Sequence, residues 1–241
     1  MARTRNLQGT GGTPVTPLAD YTAKRSFEST PEPPAALVKR TGPLLFAVQM
    51  HQARALHYDL RLESGGVMKS FAVPKGLVLA IGDKHLAVPT EDHPLAYSAF
   101  EGIIPKGQYG AGPVIVWDCG WYSPDEDGVL ELDDRGRAEA RIAEGFERGK
   151  LSITFFGVKL KGSYALVRTR DKTWLALKHR DARPIPAPHG DDLPRSVLSQ
   201  RTVDGLAASG PVAPTPLEAL APNGPSEAVP RKLIPMLAQS A

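Results

Sequence analysis

One cysteine, Cys119, stands among 241 residues, so the chain forms no internal disulfide and a bridged extracellular scaffold is excluded. No window approaches the roughly 18 consecutive apolar residues of a membrane helix. The opening MARTRNLQGTGG has no apolar signal-peptide core. The expectation is a soluble cytoplasmic protein with no membrane partner. Aromatic residues are missing from Leu175 onward, all of them lying between Tyr21 and Trp174. A strong excess of one charge is also lacking, since the formal net charge is only +3. That excess sits in residues 1–42, which carry six Lys/Arg against three Asp/Glu; residues 43–182 and 183–241 are each neutral. A wholesale basic surface for nucleic acid is thereby excluded, and any phosphate-bearing partner must be held by a few placed cations.

Gly and Pro are abundant, 23 of each, which argues against a helical bundle and for short strands and turns. Residues 183–241 hold 11 prolines and no aromatic, and read as a linker or disordered tail, with a short helix capped by Ser199 or Thr202 expected in Arg195–Ala207. Residues 1–40, with PEPPA at 31–35, read as an arm, and the folded unit should span 41–182. Period-two patterning places strands at Leu44–Met50, His57–Glu63, Gly66–Val73, Leu86–Val88, Val114–Asp118, Val129–Leu132, Leu151–Phe156, Tyr164–Arg168 and Trp174–Lys178. One helix is expected at Arg137–Arg148. The fold class is mainly β, a compact antiparallel β-barrel with one or two short helices and disordered tails.

Alternation in the stretch FAVQMHQARALHYDLRLE puts His57, Asp59 and Arg61 on one strand face and Gln49 with His51 on one face of the preceding strand. A hairpin would gather all five on one surface. Two imidazoles and a carboxylate suit Mn, Fe, Co or Zn better than Ca, and the lack of thiolates argues against a structural zinc. A solvated polar sheet face is the competing reading. Lys75 sits in the tight turn Pro74-Lys75-Gly76, and Glu91-Asp92-His93-Pro94-Leu95-Ala96-Tyr97 adds acids, an imidazole and a phenol. Gln108-Tyr109-Gly110-Ala111-Gly112 reads only as a tight turn, and the acids between Asp125 and Asp134 as a solvated hairpin.

VQMHQARALHYDLRLE, VMKSFAVPKG, LAVPTEDHPLAY, FEGIIPKGQYGAGPVIVWDCG, LKGSYALVRT and WLALKHRD, in that order, resemble the 3′-phosphoesterase domain of bacterial DNA ligase D. The resemblance covers about Arg25 to Asp181. It implies a manganese-dependent β-barrel enzyme of nonhomologous end joining, with Co2+ or Zn2+ as other candidate metals. Such an enzyme removes a 3′-terminal ribonucleoside and then the remaining 3′-phosphate. Its partners would be nucleic-acid 3′ ends, such as a primer–template with a terminal ribonucleotide or 3′-phosphate, together with ligase and polymerase modules and Ku. The setting would be the bacterial nucleoid and the state monomeric.

By this resemblance His51, His57 and Asp59 hold the metal. Gln49, Arg61, Lys75 and His85 bind the phosphate, and His93, Tyr97, Arg25, Glu32 and Glu91 complete the catalytic set. The family's Arg-Asp-Phe is Arg25-Ser26-Phe27 here, His85 stands where an arginine usually precedes Leu-Ala-Val, Phe71 replaces a common tryptophan and Lys106 a common acid. The closing RKLIPMLAQSA resembles the opening of a ligase domain. A non-catalytic module that binds a DNA end or 3′-phosphate is the alternative function, and an enzyme for a small phosphorylated substrate is a weaker third.

Overall fold

The computed structural model describes residues 16–180, 194–210 and 212–220. The first 15 residues, the Pro-rich 183–193 and the ligase-like segment Arg231–Ala241 lie outside the described residues. Nine strands are present: β1 Leu44–Gln52, β2 Leu56–Ser64, β3 Val67–Val73, β4 Lys84–Pro89, β5 Gly102–Ile104, β6 Gly112–Pro124, β7 Lys150–Gly157, β8 Lys161–Arg168 and β9 Trp174–Lys178. With them come three helices, α1 Ala19–Ala23, α2 Arg135–Arg148 and α3 Val203–Ser209. The strands pair in the order β1-β2-β3-β4-β9-β8-β7-β6, and β6 returns to β1, so eight antiparallel strands close a barrel with β5 added on β6. Closure leaves this ring no edge to pair with another chain.

The alternation written in the sequence becomes inside and outside. Phe46, Val48, Met50, Leu60 and Leu62 point into the core with Ile115, Phe155 and Leu166. The turn at Gly65 and Gly66, both at positive φ, fixes the β2–β3 register so that Arg61 faces Ser70 and Asp59 faces Ala72. In β6 an extra residue, Trp117, interrupts pairing: Val48 faces Asp118 whereas Gln49 faces Val116. This bulge swaps the faces of the strand, because one residue of slip inverts a period of two.

α2 begins at Asp134, whose carboxylate accepts the Arg137 amide at 2.9 Å, and ends at Gly149 in the left-handed conformation. Its Ala138 and Ile142 enter the main core.

Three expectations change. Val129–Leu132 is not a strand: a short 3-10 turn at Glu126–Gly128 leads toward α2, the Glu131 amide donates to Ser123, and the Glu131 carboxylate meets Arg137 and Arg141 at 3.2 Å each. The acids of that stretch are therefore not all solvated; Asp125 is buried and accepts the Thr154 hydroxyl at 2.6 Å. The third change concerns residues 194–220, expected as a tail. Thr202 caps α3 by accepting the Gly205 amide, Val203 and Leu206 join the main core, and Leu220 packs with Leu45, Ala47 and Val116 outside the barrel. Three well-spaced apolar side chains suffice where a barrel face is there to receive them, which composition alone does not register.

Candidate active site

The β1–β2 hairpin sets His51 directly opposite His57, and Gln49 opposite Asp59. The ligating atoms of His51, His57 and Asp59 all lie within 4.8 Å of one another. His51 Nδ1 is 3.8 Å and His57 Nε2 3.7 Å from the Asp59 oxygens, too far for hydrogen bonds. The opposite ring nitrogens are engaged with backbone carbonyls, His51 Nε2 with Gly110 at 2.8 Å and His57 Nδ1 with Ala55 at 3.1 Å. Those bonds place the protons on the outer nitrogens and turn both lone pairs toward Asp59, the arrangement that metal-binding imidazoles require. A transition metal about 2.0–2.2 Å from each ligand needs them about 3–3.6 Å apart, so a small contraction of these side chains would close the trio on an ion. The residues fit a divalent cation, and the geometry rules out the solvated polar face: His51 and Asp59 are buried in a cavity wall.

Arg61 lies beside the trio and spreads its bonds over three partners. Its Nε donates to Gln49 Oε1 at 2.6 Å, Nη1 to Ser70 Oγ at 2.9 Å and Nη2 to Asp59 Oδ2 at 3.1 Å. Among the described residues these match three of its five N–H groups. Burial would raise the Asp59 carboxyl, but the Arg61 guanidinium holds it below its ordinary value.

The N-terminal arm supplies the second arginine. Tyr21 of α1 is fully buried, its hydroxyl bonded to the Pro33 carbonyl, and it shares an apolar patch with Val67, Tyr97, Phe100 and Ile104. Arg25, packed on the Tyr21 ring, donates through Nε to Glu32 at 2.8 Å, through Nη1 to Glu91 at 3.2 Å, and through Nη2 to His93 Nε2 at 3.3 Å. Glu32 also accepts the Tyr97 hydroxyl at 2.8 Å, and Lys24 bonds Glu91 at 2.9 Å.

The His93 tautomer follows from its neighbours. Nδ1 lies 2.8 Å from the Glu91 carbonyl, which can only accept, and Nε2 receives Arg25, which can only donate. His93 is thus neutral, and burial, with the nearby Arg61 and Arg25 charges, depresses its pKa well below the ordinary value. Burial, and then Glu32, drives the Tyr97 phenol far above its own.

A cavity of about 790 Å3 opens on Arg25, His51, His57, Asp59, Arg61, Glu91, His93 and Tyr97. The remaining expected residues are elsewhere. Gln49 is wholly buried, its amide hydrogens spent on the Tyr97 and Phe100 carbonyls, so it reaches the site only through Arg61. Glu32 acts likewise through Arg25 and Tyr97. Lys75 is exposed and lines a neighbouring hollow with Tyr58, Leu77 and Trp117. His85 Nδ1 contacts the Gly76 carbonyl at 2.6 Å, on the same turn as Lys75.

Sequence reasoning passed over Ser70, Lys24 and the Gly110 carbonyl. Ser70 was reachable from the Gly65-Gly66 turn, which sets it opposite Arg61. The 108–112 turn, expected to be only structural, orients a ligand. Gly112 there has φ +142°, and a Cβ on it would fall 2.0 Å from the Gln52 carbonyl oxygen, so glycine alone lets the loop reach His51.

A sequence profile of the DNA ligase D 3′-phosphoesterase domain matches residues 49–168. The multifunctional nonhomologous end joining protein LigD of Pseudomonas aeruginosa is 45% identical over 196 residues, 78% of this chain and 22% of that protein. Its namesake from Mycolicibacterium smegmatis is 44% identical over 177 residues, 70% of this chain and 22% of the relative. The LigD of Mycobacterium tuberculosis H37Rv is 38% identical over 198 residues, 80% and 24% respectively. The chain thus spans about a fifth to a quarter of the length of these relatives.

Proposed function

This chain belongs to the DNA ligase D 3′-phosphoesterase family through residues 49–168, and we propose that it is a manganese-dependent hydrolase that heals nucleic-acid 3′ ends. It would remove a terminal ribonucleoside as a phosphodiesterase and then the 3′-phosphate as a phosphomonoesterase, in nonhomologous end joining. The observation that carries this reading is the juxtaposition of the His51–His57–Asp59 trio with the guanidiniums of Arg61 and Arg25 in one cavity.

Charge accounting explains why a cation is needed. Lys24, Arg25 and Arg61 are each matched by a carboxylate, from Glu91, Glu32 and Asp59. With His93 neutral, the exposed Arg54 leaves the lining only about one charge positive, a weak trap for a phosphate. A divalent ion held by His51, His57 and Asp59 would supply two positive charges, Lewis-acid stabilisation of the phosphoryl oxygens and a more acidic water. Mixed nitrogen and oxygen ligands accept Mn2+, with Co2+ and Zn2+ as alternatives.

The protein groups then orient the scissile phosphate. Arg61, fixed by Gln49, Ser70 and Asp59, and Arg25, fixed by Glu32 and Glu91, present their remaining N–H groups without reorganisation, which makes such donors effective on a developing charge. His93 steadies Arg25 through Nε2. Its neutral state favours this transition-state role over protonation of the leaving oxygen. Tyr97 holds Glu32 and lies 4.6 Å under Arg61. Lys75, and His85 bonded to its turn, lie outside the cavity next to Pro74 of its wall and would meet the strand leading to the end.

The test is digestion of a primer–template ending in one ribonucleotide, with Mn2+, Co2+ or Zn2+ and products separated by charge. A 3′-phosphate followed by a 3′-hydroxyl is expected. Tight binding of the end with no product under any metal would instead establish the non-catalytic module.

A further inference from the structure

The cavity is larger than a phosphate and two arginines require. At about 790 Å3 it lies in the range of sites that take a nucleotide-sized ligand. Its walls also differ: His51, His57, Asp59, Arg61 and Arg25 come from β1, β2 and the arm, whereas Leu56, Ile104, Tyr109 and Ala111, with Arg54 of the β1–β2 loop, give the remainder a partly apolar, aromatic character. Tyr109 is 55% exposed, and it is the sole aromatic among the large hydrophobic side chains that the described residues leave exposed. Leu56, 43% exposed, lines the same cavity from the β1–β2 side.

The turn that carries Tyr109 is pinned on both sides. Gln108 Nε2 donates to Ser29 at 2.9 Å, the Gly110 carbonyl takes His51, and the Ala111 amide closes a turn on the Gln108 carbonyl at 3.2 Å. Lys24 Nζ sits 4.6 Å from the Tyr109 ring centroid while bonded to Glu91. An exposed aromatic ring on a pinned turn beside a phosphate-handling centre is placed for a planar ligand.

We infer that Tyr109, flanked by Leu56, is the stacking seat for the nucleobase of the 3′-terminal nucleotide, placing its phosphate before Arg61 and the metal-ligand trio. The inference rests on the end-healing reading above and adds the part of the substrate that is gripped. Stacking uses a face common to all bases, so this seat would accept any terminal base without reading its identity.

Two kinds of strand test it, both capped with a 3′-methylenephosphonate that resists hydrolysis, one ending in 2-aminopurine and one in an abasic sugar. Full-length wild type, Tyr109→Phe and Tyr109→Ala are titrated against each. Wild type and Tyr109→Phe should quench 2-aminopurine fluorescence. Tyr109→Ala should lose the quench and bind that end about 5- to 150-fold more weakly, the usual consequence of removing one base–aromatic stack. The abasic end should bind wild type and Tyr109→Ala alike. Retained quench and affinity in Tyr109→Ala, an equal loss on the abasic end, or no quench with wild type would each overturn the inference. Hydrolysis of a natural 3′-phosphate end, run in parallel, separates the two readings: absent hydrolysis with an intact quench removes catalysis alone, and intact hydrolysis without quench removes the stacking seat alone.

Discussion

Glu32→Gln is a nearly isosteric change that isolates charge at the centre of the site. The Glu32 side chain is fully buried and satisfies three donors, Arg25 Nε at 2.8 Å, the Tyr97 hydroxyl at 2.8 Å and the Thr30 hydroxyl at 2.9 Å. A glutamine oxygen can keep the first two, and the Thr30 hydroxyl can rotate to accept from the new amide. The hydrogen bonds survive in number, and two of them lose an ionised acceptor. A bond to a charged partner contributes about 1.5–3 kcal/mol against about 0.5–1.5 for a neutral one, so the cost should be about 2–3 kcal/mol. Arg25 keeps Glu91, which prevents the larger loss of a wholly orphaned buried charge. For a domain of this size that cost corresponds to a fall in Tm of roughly 5–10 °C. Thermal unfolding followed by near-ultraviolet circular dichroism measures it. The fall should persist at high salt, because counterions do not screen a pair sealed from solvent. An unchanged Tm, or a loss abolished by salt, would refute the view that the arm is anchored through a buried charge network.

Three further outcomes are expected. Mn2+ should raise the Tm of the wild type by binding the native state, and His51→Ala, His57→Ala and Asp59→Ala should each abolish that shift together with Mn2+-dependent turnover; near-native activity in any two would overturn the ligand assignment. Asp118 is buried and accepts the amides of Val158, Lys159 and Leu160, and burial pushes its carboxyl up from the ordinary 3.8 to about 6. The native state therefore holds this proton more tightly than the unfolded chain, a contribution fully present below about pH 4 and lost as pH rises through 6. Relative to Asp118→Asn, wild type should gain up to about 3 kcal/mol between pH 7 and pH 4 in denaturant titrations, and a gap independent of pH would refute this. Ending the chain before Pro194 should lower Tm, since it strips Val203, Leu206 and Leu220 from the packing they complete; an unaltered melt would show that the segment only rests on the barrel.

The sequence made the barrel and the metal trio legible for the same reason: both are written in a period of two, and the trio lies on one hairpin. β1, β2 and β3 came out nearly whole because apolar alternation and the Gly65-Gly66 turn agree. Val129–Leu132 misled, since its alternation serves Glu131, which ties α2 down, rather than a sheet. The three-residue β5 is too short to carry a pattern. Residues 194–220 were hidden by their prolines, and only the receiving surface on β1 and β6 makes Val203 and Leu206 core residues. Within the site, the resemblance supplied Arg25, Glu32 and Tyr97 as members but not their arrangement. That Gln49 and Glu32 work behind the two arginines, and that Lys75 sits outside the cavity, depends on side-chain directions that spacing does not encode.

The site draws on segments very unequal in chain separation, and this orders its assembly. The three candidate metal ligands span nine residues on one hairpin, a local closure of small entropic cost. The carbonyl that orients His51 comes from Gly110, and the second arginine comes from an arm that docks only once Val67, Tyr97 and Ile104 are in place. Barrel closure itself waits for β1 to meet β6 and β4 to meet β9, long-range steps that are slow in any antiparallel barrel. A refolding chain should therefore acquire a loose affinity for divalent ions before it can grip a phosphate. Capture of a divalent ion by the early hairpin would then bias the chain toward the native strand register, a part in folding beside the proposed one in chemistry.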